Sequence, residues 1–168
     1  SLWLVSLISL TDPLGFPQLT TLHFGNFSFS SCNTFIIGNN SLPLLNSFIV
    51  GNWSFHKLIS ISIGSSSMNT IQWIPFDSLD QLISFRVGSN SLNGLIIIPI
   101  FSIRTLHTII IDSSSLMKVT VFPLRYWTVL HTLIIGSNSL ISVKQLELIG
   151  LNELTIVSID SSSLSGME

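Results

Sequence analysis

Two pairs of titratable residues recur at a regular spacing that could support chemistry. One 24-residue interval separates His107 from His131, and two such intervals separate Asp112 from Asp160. Two neighbouring imidazoles can share a metal ion or respond to pH. If the interval corresponds to stacked strands, the two carboxylates would lie about 9–10 Å apart, which an inverting glycosidase could accommodate.

We interpret neither pair as a reactive site. The histidines have no apparent third ligand, which predicts exposed strand residues, and the aspartates occupy a turn position that glycine fills elsewhere. The sequence contains no Walker loop, dinucleotide-binding fingerprint, HExxH, CxxC pair or nucleophile elbow. We therefore predict no catalytic residues, no metal, no cofactor and no enzymatic activity. A carbohydrate-active β-solenoid enzyme is the alternative.

The elements that position these residues are copies of one eleven-residue phrase, of which 82–92 and 130–140 are examples. It runs leucine, two variable residues, an apolar residue, one variable residue, an apolar residue, then Gly or Asp, two small polar residues, Ser and a large apolar residue. The serine recurs as Ser28, Ser41, Ser54, Ser67, Ser91, Ser115, Ser139 and Ser163. We predict a structural ladder of serines inside the bends, bonded to backbone of the same or the next coil.

The copies follow two periods. Gly25, Gly38, Gly51 and Gly64 follow a 13-residue period, whereas from Gly64 to Asp160 the same place follows a 24-residue period. Thirteen residues are too few for one turn of a leucine-rich coil, so we interpret one coil as two half-turns. The predicted organisation is a degenerate entry segment over 1–18 and one repeat array over 19–168, with 13-residue half-units over 19–63 and 24-residue coils over 64–168.

The apolar pattern predicts the fold class. Alternation between the fourth and sixth places indicates a short strand with both side chains on one face. Successive strands would stack as a parallel sheet, giving a mainly β solenoid with 24-residue coils and little or no helix. Glycine at the seventh place suits a tight bend with positive φ. Pro75, Pro99 and Pro123 predict an extended second half-turn rather than a central strand.

The phrase resembles the leucine-rich-repeat signature LxxLxLxxNxL. The segments 32–42, 82–92 and 130–140 match it, with Cys32 as a departure, while Phe27 and Trp53 depart at the asparagine place. The run of Ile-Gly, two residues, Ser and Phe or Leu is similar to the IGxxAF run of BspA-like leucine-rich repeats, with Ser in place of Ala. The resemblance implies a leucine-rich-repeat solenoid. It also implies an adhesion protein that is extracellular or at the cell surface, as most members of that group are in microbes.

Composition narrows the classes of partner. Charged residues make up 8% of the chain and the net charge is −2. The sequence therefore lacks the cluster of basic residues that nucleic-acid binding requires. The longest apolar run, Leu95 to Phe101, is too short to span a bilayer and contains Pro99, which predicts no transmembrane segment. The single cysteine, Cys32, excludes an intramolecular disulfide and is predicted to be a small buried residue.

The outward face of the predicted strands carries hydroxyls and β-branched apolar groups with little charge. Exposed apolar patches of this kind mark contact surfaces, and a sheet with few charges lacks the usual guard against edge pairing. The predicted binding face consists of His23, Ile36, Ile49, Ile83, Arg86, His107, Ile110, His131 and Ile134. We expect a protein partner, or a second copy through stacking or filament formation, in protein binding, adhesion or extracellular structural assembly.

Three asparagines of the early bends begin glycosylation sequons: Asn26, Asn39 and Asn52. A glycan is therefore a candidate modification in a eukaryotic secreted protein. The alternative is that they are turn asparagines beside the structural serine, because stacked neighbours would crowd bulky sugars.

Overall fold

The computed structural model describes residues 7–11, 16–76, 79–98, 100 and 103–167 of the 168-residue chain. It is a parallel β-solenoid of about 6 coils, with 2% of residues helical, which confirms the predicted fold class. The strands are β1 (Leu7–Leu10), β2 (Thr21–Phe24), β3 (Thr34–Ile37), β4 (Ser47–Val50), β5 (Ser60–Ile63), β6 (Ser84–Val87), β7 (Thr108–Ile111), β8 (Thr132–Ile135) and β9 (Ile156–Ile159). A 3-10 turn covers Leu124–Tyr126. In the part of the chain that the structure describes, no helix has the length and apolar character needed to cross a membrane.

The strands lie in two parallel sheets. A seven-stranded sheet has the order β1-β3-β5-β6-β7-β8-β9, and a separate two-stranded sheet joins β2 to β4. Phe35 pairs with Ile61 across a 26-residue interval, whereas Phe85 pairs with Ile109 across a 24-residue interval. Successive 13-residue units therefore alternate between the two sheets. The boundary at residue 18 stays a prediction, and Asp12, an early echo of the phrase, lies outside the described residues.

The core is a stack of equivalent side chains from successive coils. In the coil that contains β6, the first, fourth, sixth and eleventh places are Leu82, Phe85, Val87 and Leu92, each with 0% of its surface exposed. The alternation along β6 places Ser84 and Arg86 on the outer face. Apolar residues of the second half-turn close the core from the other side, so every described coil between β5 and β8 is enclosed by neighbours.

The second half-turn is extended where the proline column begins. Residues 71–76 stand one coil after β4 in the equivalent half-turn, but they do not form a strand. Pro75 in this segment has no N–H to donate to a ladder. The Thr70 hydroxyl donates to the carbonyl oxygen of Leu45 at 2.7 Å, which fixes the segment against the coil below. The two-stranded sheet ends at β4 for this reason. Pro99 lies outside the described residues, and Pro123 precedes the 3-10 turn.

The prediction of positive φ at the repeated glycine is wrong. Positive φ occurs instead at the ninth and eleventh places, as at Asn90 and Leu92, both at 55°. Glycine at the seventh place serves close approach of the coils: a Cβ on Gly88 would lie 2.6 Å from the backbone nitrogen of Ser65. Asp112 holds the same place one coil later, and its N–H donates to the carbonyl oxygen of Val87 at 2.8 Å, as the N–H of Gly88 does to that of Ile63 at 2.7 Å.

Candidate functional site

The repeated serines join the bends of successive coils through hydrogen bonds. The N–H of Ser91 donates to the hydroxyl of Ser115 at 3.2 Å, and that hydroxyl donates to the carbonyl oxygen of Gly88 at 2.8 Å. Gly88 and Ser91 are the residues that an ordinary turn would join directly. The hydroxyl of one coil therefore bridges the open turn of the coil below. The same serine N–H to serine hydroxyl bond links Ser28 to Ser54, Ser41 to Ser67, Ser67 to Ser91 and Ser115 to Ser139.

A bend that has no further bend stacked on it forms the turn hydrogen bond within itself. Ser54 is in the last bend beside the two-stranded sheet and Ser163 is in the last described bend. Each donates its N–H to the carbonyl oxygen of the seventh-place residue in its own bend at 3.3 Å, and Ser28 makes this bond as well as the one to the coil above. Inside the stack, Ser67, Ser91, Ser115 and Ser139 are 0% exposed. These serines therefore act in the fold and are closed to a ligand.

The predicted binding face divides between the two sheets. Ile36, Arg86, Ile110 and Ile134 occupy one column of the seven-stranded sheet, with Ser62 between Ile36 and Arg86. Ile83, His107 and His131 form a second column just before the strands, since the N–H of each later residue donates to the carbonyl of the previous one at 2.9 Å. His23 and Ile49 pair with each other on the two-stranded sheet. The structure thus brings seven of the nine residues together and places two elsewhere.

A column of hydroxyls completes the outer face of the seven-stranded sheet. Its residues are in register on five successive strands of this sheet: Thr34, Ser60, Ser84, Thr108 and Thr132. All five are half-buried. The few charged groups on this face pair with neighbours, because Arg86 contacts Asp112 at 3.1 Å and the His131 ring lies 3.8 Å from Glu153. The face therefore offers apolar and hydroxyl contacts in straight rows.

The two histidines form a stacked and oriented pair. Their ring centroids are 5.0 Å apart with an interplanar angle of 7°. Nδ1 of His107 lies 2.6 Å from the carbonyl oxygen of Thr105, and Nδ1 of His131 lies 2.8 Å from that of Val129. Since a carbonyl oxygen only accepts, each Nδ1 carries the proton of its hydrogen bond. Both residues are half-buried rather than exposed, and no three potential ligands among the described residues are grouped to hold a metal ion.

The two aspartates of the glycine column contact different neighbours. The Asp112 carboxylate accepts a hydrogen bond from Arg86 at 3.1 Å, while Asp160 accepts one from the Ser158 hydroxyl at 3.5 Å. They lie two coils apart at the carboxyl ends of β7 and β9. Both contacts are surface pairings within the sheet, and surface pairs of this kind contribute about 0–1 kcal/mol.

The sequon asparagines are exposed in the early bends. The Oδ1 atom of Asn26 accepts the N–H of Asn52 at 2.9 Å, and the Oδ1 atom of Asn39 accepts the N–H of Ser65 at 2.8 Å. These bonds tie one bend to the next, as expected of turn asparagines. Asn26 and Asn52 therefore occupy neighbouring coils on the same side, where two sugars would crowd each other. Glycosylation stays a prediction.

Two grooves were missed in the sequence. One, of about 540 Å³, lies between the bend after β4 and the following coil, and Trp53 and Trp73 line it. The other, of about 510 Å³, has Phe122 and Leu124 among its lining residues and Arg125 beside it. The Arg125 guanidinium donates to the Tyr126 hydroxyl at 3.0 Å, a bond that raises the pKa of Arg125. Both grooves involve second half-turns, where the phrase has diverged. Tryptophan at an asparagine place, Trp53, was the available signal.

Comparison with known proteins adds no relative: no family model, curated protein or solved structure matches this chain. The resemblance to leucine-rich repeats therefore depends on the motifs within the sequence. The structure shows a parallel β-solenoid, which is compatible with a repeat protein.

Proposed function

We propose that this chain is a non-catalytic repeat scaffold for protein–protein interaction, adhesion or extracellular structural assembly. The observation that supports this most directly is the outer face of the seven-stranded sheet, where register aligns apolar and hydroxyl residues in continuous columns. Apolar residues exposed beside hydroxyls on one flat face are typical of an interaction surface. Membership of the leucine-rich repeats, likeness to the BspA-like group and a location outside the cell or at its surface belong to the same proposal.

In the assembly form, a second copy of the chain would cover the last described strand. In the last described coil, Ile156, Val157 and Ile159 are 53%, 49% and 41% exposed, whereas Leu133 and Ile135 one coil earlier are 0% exposed. The strand β9 is also an edge, with one row of backbone groups unpaired within the seven-stranded sheet. A second copy stacked on β9 would bury these side chains and continue the parallel ladder.

Sedimentation velocity over a range of protein concentrations tests this proposal. Three proteins are compared: the wild type, an end variant with Val157→Lys and Ile159→Lys, and a face variant with Ile83→Lys and Ile110→Lys. We expect the sedimentation coefficient of the wild type to rise with protein concentration and that of the end variant to stay at the monomer value. The reason is that the lysine ammonium groups would have to be desolvated in the stack.

The face variant assigns the contact. If its association is lost while the end variant still associates, the sheet face joins the copies instead of β9. A wild type that remains a monomer up to its solubility limit contradicts the assembly form. Circular dichroism of each variant shows whether the parallel strands are kept, so that misfolding is not mistaken for lost association.

A further inference from the structure

The groove beside the end of β4 is built by a change in the length of the repeat. One wall is the bend 50–56, and the other is formed by four residues of the following coil: Trp73, Pro75, Leu79 and Asp80. The earlier coils repeat their second-side bend at a 26-residue interval, but the coil after β4 carries the extended segment instead, which leaves a step. The volume of about 540 Å³ is in the range of small-ligand sites.

Two large aromatic surfaces face solvent in this groove. Trp53 is 69% exposed and Trp73 is 52% exposed, whereas Trp127 of the core is 0% exposed. Trp53 also has a φ of 61°, at a place where five later copies carry asparagine or serine with similar φ. The φ therefore belongs to the bend of every copy, and Trp53 differs from the later copies in placing a large indole there. Phe27, 66% exposed, occupies the equivalent place one coil earlier.

Polar groups of three kinds accompany the tryptophans. Within the described part of the chain, the Asp80 carboxylate accepts no hydrogen bond and joins no ion pair, and Asn52 contributes an exposed amide. The Nδ1 atom of His56 lies 3.0 Å from the carbonyl oxygen of Trp53, which leaves Nε2 for another partner. The groove thus combines flat apolar faces with a carboxylate acceptor, an amide and an imidazole.

We propose that this groove binds a neutral carbohydrate. The C–H face of a pyranose ring packs on an exposed indole, and its hydroxyls can donate to Asp80 and exchange hydrogen bonds with Asn52 and His56. A quaternary ammonium ligand would use the rings and the carboxylate but would give the amide and the imidazole no role. The site lies apart from the sheet face and from β9. A failure to bind sugar would therefore leave the assembly proposal unchanged.

The groove also constrains the fate of the third sequon. Asn52 both begins the sequon that continues through Trp53 and Ser54 and lines the groove. A glycan attached to Asn52 would occupy the space that a bound sugar needs. Attachment at Asn52 and ligand binding therefore exclude each other, and the test uses protein without N-linked glycans.

Titration of the chain with cellotriose, N,N′,N″-triacetylchitotriose and mannotriose, each into the millimolar range, tests the proposal by NMR of the indole N–H groups. We expect at least one trisaccharide to shift the Trp53 and Trp73 signals saturably, while the signal of buried Trp127 stays in place. Trp53→Ala and Trp73→Ala should each weaken binding by about tenfold or more. Tyr126→Ala, a comparable truncation of an exposed aromatic residue in the other groove, should leave the affinity unchanged.

Three results would overturn the proposal. The first is that none of the trisaccharides shifts the two signals saturably. The second is that Trp53→Ala and Trp73→Ala, shown by circular dichroism to be folded, keep the wild-type affinity. The third is that choline chloride, titrated in parallel, binds in the groove while the sugars do not, which would assign it to a cationic ligand.

Discussion

One buried hydroxyl in each bend links a coil to the coil below it. The Ser115 hydroxyl is fully buried, accepts the N–H of Ser91 and donates its one proton to the carbonyl oxygen of Gly88 at 2.8 Å, with the Ser113 carbonyl oxygen at 3.2 Å. A buried backbone group left without a partner is destabilising. The position therefore needs a hydroxyl group as well as a small side chain. The phrase tolerates much variation around it but keeps this residue in all eight copies.

We predict that Ser115→Ala lowers the free energy of unfolding by about 1–3 kcal/mol, because it leaves the Ser91 N–H and the Gly88 carbonyl without their partner. Urea denaturation followed by circular dichroism measures the change. Ser113→Ala is the matched control, since Ser113 lies in the same bend with an exposed side chain and should change stability by less than about 0.5 kcal/mol. Equal effects of the two substitutions would remove the bridging role.

Cys32 gives a second prediction at this scale. The thiol is 0% exposed and 3.1 Å from the carbonyl oxygen of Thr34, and burial raises the pKa of Cys32 above its ordinary value. The reactive thiolate is therefore scarce at mildly alkaline pH. We expect a thiol-specific chromogenic disulfide reagent to leave the native protein unmodified over a time in which the protein unfolded in guanidinium reacts fully. Rapid reaction of the native protein would contradict the burial of this place in the phrase.

At the scale of the bend, the spacing of coils depends on the absence of a side chain. A Cβ on Gly88 would lie 2.6 Å from the nitrogen of Ser65 and 2.8 Å from the carbonyl carbon of Gly64, both backbone atoms. Backbone cannot rotate away as a side-chain tip can, so the coils would have to separate locally. Asp112 shows that the place can carry a side chain in another coil, where Arg86 contacts the carboxylate at 3.1 Å.

We predict that Gly88→Ala lowers the free energy of unfolding by about 1–3 kcal/mol through this overpacking. Gly25→Ala is the control, because its Cβ would meet only the Ser28 hydroxyl at 3.8 Å. Its stability should be unchanged or raised by up to about 1 kcal/mol, since alanine restricts the unfolded chain. Thermal unfolding of both variants decides the matter, and a larger loss at Gly25 than at Gly88 would contradict the stacking of bends.

The strands were predictable from the sequence, and the geometry of the bends was not. Alternation at places such as Phe85 and Val87 indicates a strand with one buried face, and the 24-residue interval gives the register. Positive φ was expected at glycine on intrinsic preference, but the structure places it at Asn90 and Leu92. For a leucine the conformation is unfavourable in isolation, and it is adopted because Leu92 then lies in the core with 0% exposure.

The two grooves could not be predicted from the sequence. Trp53 and Trp73 belong to different units of the repeat and have no common spacing that would predict their meeting. They come together because the second-side bend after β4 is not repeated, a consequence of how two half-turn lengths wind against each other. The outer face shows the same effect, since His23 and Ile49 fall on the other sheet through the alternation of half-turns.

Across the whole molecule, stability comes from contacts between neighbouring coils. All contacts between the described strands join direct neighbours within a sheet, and each coil buries its apolar places only when a coil lies on either side. The exposed row of Ile156, Val157 and Ile159 on β9 is what this construction leaves at an uncovered end. Along its length, the same construction exposes the flat outer face of the seven-stranded sheet.

The most direct test of this account is an NMR measurement of contacts between isoleucine methyl groups in an otherwise deuterated chain. The register predicts nuclear Overhauser effects between Ile37 and Ile63, between Ile111 and Ile135, and between Ile135 and Ile159. It predicts none between Ile111 and Ile159, which lie two strands apart at about 9–10 Å. A direct Ile111–Ile159 contact, or the loss of the two 24-residue contacts in a folded sample, would contradict the stacked solenoid.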